Sequence, residues 1–327
     1  MNIKINTYQK AFLNYITRYS KNLDKRSPKE LYQPIQYILD SDAKHIRPIL
    51  CLLAYNLYES NYKNALNAAL AIELFHTFSL VHDDILDNAS LRRGKKTIHE
   101  KWNTNIAILS GDVLLTESFR LLSNYSPSIA QQLLKVFSEA SVLICEGQQE
   151  DMNFEKLVKV TTKQYLEMIR KKTGVLIGTS LQMGAIVANV SLNEQKKLYK
   201  IGENIGLAFQ IMDDYLDTFG DSKLFGKKIG NDILSNKKTF LLTKAFETSN
   251  SKQLQKLYKF LKMPPSKDKI IFIKQLFLEL GINEIALKTA QEINKKNEKL
   301  IQSLSSQKYE LKQTLRKLSN ELINRTK

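Results

Sequence analysis

The sequence predicts an all-α protein, folded as a single large helical bundle around a central cleft. Glycine and proline, the residues that most often interrupt helices, number only 12 and 6 in 327 residues. Apolar residues recur at three- and four-residue spacing over long stretches, as they do along one face of a helix. No segment reads as a convincing strand. These observations favour helices throughout the chain.

Local signals place the helices of the first half. Pro48 suits the first turn of a helix, where a missing N–H costs no bond, so we expect a helix that opens there. Residues 65–87 form one continuous helical pattern. The most apolar stretch, 174–190, is interrupted by Thr, Ser, Gln and Asn. We therefore expect a buried helix there rather than a membrane span.

The second half has similar signals. Residues 197–219 form another long helical pattern, and Met-Pro-Pro-Ser-Lys-Asp at 263–268 is a definite break. After it, Gly281 can end one helix and Asn283 can cap the next. We expect one domain over residues 1–327, with a motif-bearing core at about 40–245 and a helical C-terminal portion at about 250–327.

Cysteine usage and the N-terminus bear on the compartment. The two cysteines, Cys51 and Cys145, form no Cys-x-x-Cys pair, which argues against a disulfide scaffold or a cysteine zinc site. The polar, amphipathic N-terminus lacks the apolar core of a secretory signal. We expect a cytoplasmic protein without an integral membrane segment.

The formal net charge of +16 has two interpretations. A lysine-rich solvated surface explains most of the excess, and an anionic partner such as nucleic acid, acidic lipid or a phosphorylated small molecule would use it. The lysines are scattered and lack the tight stripe of a nucleic-acid footprint, so we expect no nucleic-acid partner.

The pattern Asp-Asp-x-x-Asp occurs twice. The clusters are Asp83, Asp84 and Asp87, and Asp213, Asp214 and Asp217. Relative to the first aspartate on a helix, the second lies near 100° and the third near 40°, so all three carboxylates project into one sector. Like charges this close need water or cations, and Mg²⁺ prefers such oxygen ligands together with water and phosphate.

A single short acidic pattern is more often a solvated helix face. Here both copies follow strongly apolar runs and precede basic residues, which favours two carboxylate walls that face one cleft and hold several Mg²⁺ ions and a diphosphate. Gln210 lies at about 60° from Asp213 on the helical wheel, inside the carboxylate sector. It can orient a ligand or a metal-bound water.

Basic residues accompany the first cluster. Arg92 and Arg93 follow it across a short loop that ends at Gly94. The arginine fork suits phosphate oxygens, and salt bridges to the nearby aspartates are also open. Lys44 and Arg47 stand immediately before the helix that opens at Pro48, whose N-terminus attracts anions.

Further candidates lie along the chain. His76 falls within about 20° of Asp83 on the helical wheel. Lys172 and Thr173 stand at a predicted helix bend ahead of Gly174, and Lys227 and Lys237 follow the second acidic cluster.

With these residues assembled, the sequence resembles the trans-isoprenyl diphosphate synthases of the polyprenyl synthetase family. The blocks HDDILDNASLRRG, AILSGDVLLTESF, EGQQEDM, KKTGVLIG and FQIMDDYLDTFGD match the family in order. The likeness runs from about residue 44 to 245, and more weakly to the end.

The resemblance implies a role for each candidate. Mg²⁺, three ions per active site, would be bound by Asp83, Asp87 and Asp213, with Asp217 as a further ligand and Asp84 and Asp214 in support. The allylic diphosphate would be held by Arg92, Lys172, Thr173, Gln210, Lys227 and Lys237. The diphosphate of isopentenyl diphosphate would be held by Lys44, Arg47, His76 and Arg93. Direct participants in catalysis would be Asp83, Asp84, Asp87, Arg92, Lys172, Asp213 and Asp214. The resemblance also implies a homodimer.

Product length in this family depends on bulky residues just before the first cluster. Phe78 lies five residues and Ser79 four residues before Asp83. A phenylalanine at this position, without an insertion in the cluster, resembles the geranylgeranyl type. We expect mainly a C20 product, with C15 second. On an ideal helix Ser79 lies closer than Phe78 to the Asp83 face, so an ordinary core role for Phe78 stays open.

The chain departs from the family pattern near Lys44. Asp42 and Ala43 replace the usual Gly-Gly, and His45 replaces a frequent Arg. Asn236 replaces a glycine, although asparagine tolerates a left-handed backbone.

Three other functions are compatible with parts of the sequence. A helical terpene cyclase also uses aspartate-rich Mg²⁺ sites, but usually with an Asn/Ser/Glu second motif. A non-catalytic subunit of a heteromeric prenyl synthase tends to lose its acidic clusters, and both are intact here. A basic helical nucleic-acid binder would show a steep dependence of binding on salt.

Overall fold

The computed structural model describes residues 3–220 and 229–323, and it confirms the all-α class. The helices up to the middle of the chain are α1 (Ile3–Leu23), α2 (Lys29–Leu39), α3 (Ile46–Asn56), a 3₁₀ turn (Tyr62–Ala65), α4 (Leu66–Leu86), α5 (Ile98–Lys101), α6 (Thr104–Leu122), α7 (Pro127–Glu155) and α8 (Thr162–Ile169). A π-helical turn (Arg170–Gly174) leads into α9 (Val175–Val187). The others are α10 (Leu192–Phe219), α11 (Asn231–Leu234), α12 (Phe240–Thr248), α13 (Ser251–Leu261), α14 (Lys267–Glu279), α15 (Ile282–Gln302) and α16 (Tyr309–Ile323).

The chain forms two compact units. The first contains Met1–Ser138, Thr179–Tyr199 and Ser305–Thr314, and the second contains Glu139–Gly178, Lys200–Leu304 and Leu315–Lys327. The chain passes between them several times, so they are not consecutive segments. The expectation of a single domain, with a core at about 40–245, stays a prediction.

Helix α4 is the centre of the first unit. It packs against α6 and α3, and the side chains of residues 68–72 and Leu74 are fully buried. The helix is apolar over most of its length because most of it is buried, and its aspartates lie at its C-terminal end. The segment Tyr62–Leu86 is long and apolar enough to span a bilayer, but 61% of its 18-residue apolar window is buried inside the protein. A buried core helix has the same composition, so this one segment is weak evidence for a membrane span.

Helix α3 begins earlier than expected. It starts at Ile46 rather than at Pro48, so Pro48 lies within the first turn, as expected, and Arg47 lies inside the helix instead of before it. The residue before the helix, His45, has a left-handed backbone with φ of 48°. The left-handed position next to this helix is therefore taken by His45 and not by Asp42 or Ala43, which replace the glycines of the family pattern.

The loop after the first aspartate cluster is a small β-hairpin, where no strand was expected. Strand β1 (Leu91–Arg92) pairs with β2 (Lys95–Lys96), with Arg92 opposite Lys95. Both turn residues, Arg93 and Gly94, have positive φ, which is the signature of a tight two-residue hairpin turn.

The core of the second unit joins α8, α10, α12, α14 and α15. The break near 263–268 is confirmed, since α13 ends at Leu261 and Ser266 caps α14 through the N–H of Lys269. Gly281, in a left-handed conformation, is the N-cap of α15, and Asn283 lies inside the first turn. The expectation that Asn283 caps this helix is therefore wrong. Asn236 is left-handed, with φ of 55°.

Candidate active site

The first aspartate cluster lies at the C-terminal end of α4. Asp83 and Asp84 belong to its last turn, and Asp87 is the residue that ends it. Free carbonyl groups give the C-terminus of a helix a partial negative charge. Three carboxylates at this end are therefore unfavourable unless cations balance them.

The three carboxylates of this cluster differ in exposure. Asp84 is buried and accepts a hydrogen bond from Nε of Arg92 at 2.6 Å. Burial raises the pKa of Asp84, and the charge of Arg92 opposes that rise. Asp83 is half-buried and Asp87 is exposed. The protein thus holds the middle carboxylate, while the outer two reach solvent.

The second cluster repeats this construction near the C-terminus of α10. Asp214 is buried, whereas Asp213 and Asp217 are half-buried. The Asp214 carboxylate accepts hydrogen bonds from the hydroxyl of Tyr165 at 2.5 Å, from the backbone N–H of Phe240 at 2.8 Å and from Nε2 of Gln210 at 3.2 Å.

Two helix N-termini point toward the second cluster. Phe240 is the first residue of α12, so Asp214 lies where a helix favours an anion. Asp217 accepts a hydrogen bond from the N–H of Asp232, near the start of α11, at 3.0 Å. Burial raises the pKa of Asp214 to about 6, and Asp232 adds to the rise while Tyr165 and Phe240 oppose it.

The donor set suits a hard divalent cation. In the described part of the chain, no group of three or more His, Cys, Asp or Glu side chains is arranged to hold a metal ion. Mg²⁺ does not need such a cage, because it binds through one or two carboxylates and fills its shell with water and substrate phosphate. The paired outer aspartates of each cluster fit this mode of binding.

A basic group in the first unit contains two buried atoms without partners. Nη1 of Arg47 contacts Nε2 of His76 at 3.1 Å, and His45 Nδ1 contacts a Glu73 oxygen at 2.7 Å. Within the described residues, Nε of Arg47 and Nδ1 of His76 have no hydrogen-bond partner. Unpaired buried donors are costly, so these atoms indicate a place for an acceptor from a ligand.

Burial and neighbouring positive charge both lower the pKa values of this basic group. Burial, followed by the charges of Arg47 and Arg93, lowers the pKa of His76 well below its usual value, so the ring is neutral at pH 7. With Nε2 accepting from Arg47, its proton lies on Nδ1. Burial lowers the pKa of Arg47 to about 10, and it also lowers the pKa of Arg93. A bound anion would relieve this accumulation of positive charge.

A cleft of about 780 Å³ lies beside the basic group. Lys44, His45 and Arg93 line it together with residues of α1 and of the loop before α3, among them Gln9 and Thr17. Of the four candidates for the isopentenyl diphosphate site, Lys44 and Arg93 line this cleft, whereas Arg47 and His76 are not part of its lining.

Lys172 and Thr173 lie in the π-helical turn, where a bend was expected. Nζ of Lys172 is 2.6 Å from Asp151, and Nζ of Lys237 is 3.9 Å from Asp232. π-Helical turns are rare and are often found at functional sites. Lys227 lies outside the described residues.

The residues expected to set product length lie in an aromatic series. The ring centroid of Phe78 is 4.7 Å from that of His82 and 5.4 Å from that of Phe75. The ring centroids of Phe75 and Phe137 are 5.3 Å apart. The ring centroids of Phe137 and Phe119 are 5.0 Å apart. The Ser79 hydroxyl donates to the carbonyl of His76 within the same helix.

Several neighbours of the site were not predicted from sequence. They are Tyr165 and Asp232 beside the second cluster, Asp151 beside Lys172, and Glu73 beside His45. Asp151 belongs to the block EGQQEDM, which the resemblance identified without assigning it a role. The others are ordinary helix residues whose partners are distant in sequence.

Comparison with known proteins gives the family. A profile of the polyprenyl synthetase family matches residues 28–277. A geranylgeranyl pyrophosphate synthase from Geoglobus acetivorans is 38% identical over 93% of both chains. A short chain isoprenyl diphosphate synthase from Methanothermobacter thermautotrophicus is 38% identical over 76% of this chain and 79% of its own. A crystal structure of a geranylgeranyl pyrophosphate synthase superposes with a TM-score of 0.92 at 40% identity and covers 99% of each chain. The chain belongs to the polyprenyl synthetase family.

Proposed function

We propose that this protein is a short-chain trans-prenyltransferase. It condenses isopentenyl diphosphate with an allylic diphosphate (dimethylallyl, geranyl or farnesyl diphosphate) and makes mainly geranylgeranyl diphosphate, with farnesyl diphosphate second. The observation that carries the proposal is the repeated construction of the two Asp-Asp-x-x-Asp clusters, in a chain 38% identical to a geranylgeranyl pyrophosphate synthase over 93% of both.

The reaction begins with loss of diphosphate from the allylic substrate. The C–O bond breaks and leaves an allylic cation, which the double bond of isopentenyl diphosphate attacks to form the new C–C bond. A proton then leaves the adduct for the departing diphosphate, and the double bond is restored. When bound, Mg²⁺ supplies positive charge that stabilises the leaving diphosphate.

The chain's acidic residues divide into two roles. The half-exposed or exposed carboxylates of Asp83, Asp87, Asp213 and Asp217 would hold the ions, three in number. Asp84 and Asp214 orient their clusters through Arg92 and Tyr165, as outer partners of metal ligands do. From the repeated sequence pattern, we expect both clusters to serve one diphosphate.

The basic residues form two groups, each of which binds one of the two diphosphates. Lys44, Arg47, His76 and Arg93 bind isopentenyl diphosphate, and the unpartnered Nε of Arg47 and Nδ1 of His76 support this. Arg92, Lys172, Thr173, Gln210, Lys227 and Lys237 serve the allylic diphosphate. In the described structure Arg92 and Gln210 also support the buried aspartates, so they connect acid clusters to substrate.

Phe78 limits product length in this proposal. Its ring is packed between His82 and Phe75, so it cannot turn aside easily to admit a longer chain.

The protein acts in the cytoplasm as a homodimer and a single domain. Ile108 and Leu109 on α6 are 40% and 55% exposed, and such apolar side chains suit an interface.

One assay tests the function. Purified protein is incubated with labelled isopentenyl diphosphate and each allylic primer, with and without Mg²⁺, and the products are dephosphorylated and separated by chain length. We expect Mg²⁺-dependent linear C20 diphosphate. A cyclic hydrocarbon would indicate a terpene cyclase, products of C30 or longer would reject the short-chain assignment, and no product would reject the activity.

A further inference from the structure

The π-helical turn Arg170–Gly174 is built against α7. Two consecutive lysines of the turn pair with acids of that helix. Nζ of Lys171 is 2.6 Å from Glu150 and 3.0 Å from Glu146, and Nζ of Lys172 is 2.6 Å from Asp151. Consecutive residues of an α-helix diverge by about 100°, so the wider turn helps both lysines to reach one neighbouring helix.

Two glycines make this packing possible. A Cβ at Gly147 of α7 would lie 2.5 Å from the backbone nitrogen of Lys172 and 2.8 Å from Cβ of Lys171. A Cβ at Gly206 of α10 would lie 2.5 Å from Cα of Gly174. The backbone of the turn therefore contacts both helices at positions where any side chain would displace it.

The ion pair between Asp151 and Lys172 is partly shielded from solvent. Asp151 and Lys172 are 20% and 31% exposed, so their contact excludes part of the solvent that weakens surface pairs. An ammonium has three donor hydrogens, and Asp151 accepts one of them. The contact fixes the direction of the ammonium and leaves donors for a second anion.

We propose that Asp151, with Gly147 beneath the backbone, is the positioning residue that aims Lys172 at the diphosphate of the allylic substrate. This inference rests on the proposed function, in which Lys172 binds that diphosphate. Asp151 acts through Lys172 and does not itself touch the substrate. Glu150, one residue earlier on α7, holds the neighbouring lysine in the same turn and has no such role.

Asp151→Ala and Glu150→Ala form a matched pair of variants. Each removes one carboxylate from a 2.6 Å ion pair with the same π-helical turn. Asp151→Ala removes a partly exposed hydrogen bond to a charged group, so we expect it to raise the KM for the allylic diphosphate about 10-fold. Glu150→Ala should leave it within about 2-fold, because Glu146 still holds Lys171.

Further measurements separate positioning from a general loss of structure. The KM for isopentenyl diphosphate should not change in Asp151→Ala, and Asp151→Asn, which keeps an oxygen acceptor, should recover part of the loss. Inhibition by inorganic diphosphate with Mg²⁺ should weaken in parallel with the allylic KM. Gly147→Ala should raise the same KM and also lower the thermal midpoint.

The outcomes distinguish this inference from the proposed function. If Lys172→Ala raises the allylic KM and Asp151→Ala does not, the inference fails and the function stands. It also fails if both alanine variants of α7 change KM equally, or if Asp151→Ala tightens diphosphate binding. If Lys172→Ala itself leaves the allylic KM unchanged in an active enzyme, both the role of Lys172 and this inference are wrong.

Discussion

Tyr165→Phe tests whether the buried aspartate of the second cluster is held by the protein. The substitution removes a hydroxyl that donates to Asp214 at 2.5 Å and leaves the ring in place, so it creates almost no cavity. Phe240 and Gln210 still donate to the same carboxylate. Loss of one hydrogen bond to a buried charged group should lower the free energy of unfolding by about 1.5–3 kcal/mol.

The loss should depend on pH in a defined direction. The pKa of Asp214 is about 6 in the folded protein, above about 3.9 for an unfolded aspartate. The folded state therefore binds the proton more tightly, and Asp214 contributes stability below about pH 4 that is lost as the pH rises through 6. Because Tyr165 lowers the folded pKa, its removal raises it further. The gap between variant and wild type should be small near pH 4, open as the pH rises through 6, and be largest once the pH exceeds the raised folded pKa of the variant.

Urea unfolding across this pH range, in EDTA, measures the stability change. A second measurement follows the initial rate against Mg²⁺ concentration, since losing an outer partner of metal ligands costs about 10–100-fold in metal affinity or activity. Tyr258→Phe is the control, because Tyr258 is 37% exposed. If Tyr165→Phe shows an unchanged unfolding free energy at pH 8 and an unchanged Mg²⁺ requirement, Tyr165 does not support the cluster.

Three further substitutions give separable results. Phe78→Ala should lengthen the product, while Ser79→Ala should not, as chromatography of the dephosphorylated products will show; equal lengths would exclude Phe78 as the limit. Asp87→Asn removes a negative charge from the C-terminus of α4, so thermal unfolding should show a gain of about 0.3–1 kcal/mol in stability. Steady-state kinetics of the same variant should show a fall in kcat of about 100-fold, because a metal ligand is lost. Retained activity would argue against metal binding by Asp87. His76→Ala should raise the KM for isopentenyl diphosphate about 10-fold and spare the allylic KM, and initial rates with each substrate varied in turn would contradict the assignment if both changed equally.

The aspartate clusters could be predicted because their geometry is local. Spacing along one helix determines which carboxylates share a sector, and no other part of the chain is needed. The same holds for the long helices α4 and α10, whose apolar periodicity is continuous. The sequence pattern could not show that the middle aspartate of each cluster is buried.

The partners of these aspartates could not be predicted. Tyr165 is 49 residues from Asp214, and Glu73 is 28 residues from His45, so only the packing of separate helices brings them together. The helix starts at Ile46 and Ile282 differed from expectation because the left-handed residues His45 and Gly281 precede these two helices. Local sequence preferences set such boundaries only approximately.

The aromatic series behind Phe78 bears on how far the product could grow in a variant. Taking away the first ring would expose Phe75, and behind Phe75 stands Phe137, which in turn meets Phe119. If Phe78 limits the product, as proposed, we expect chain growth in Phe78→Ala to stop again at the next ring, Phe75. Under that reading, Phe78→Ala should give one new product length instead of a broad distribution of longer products.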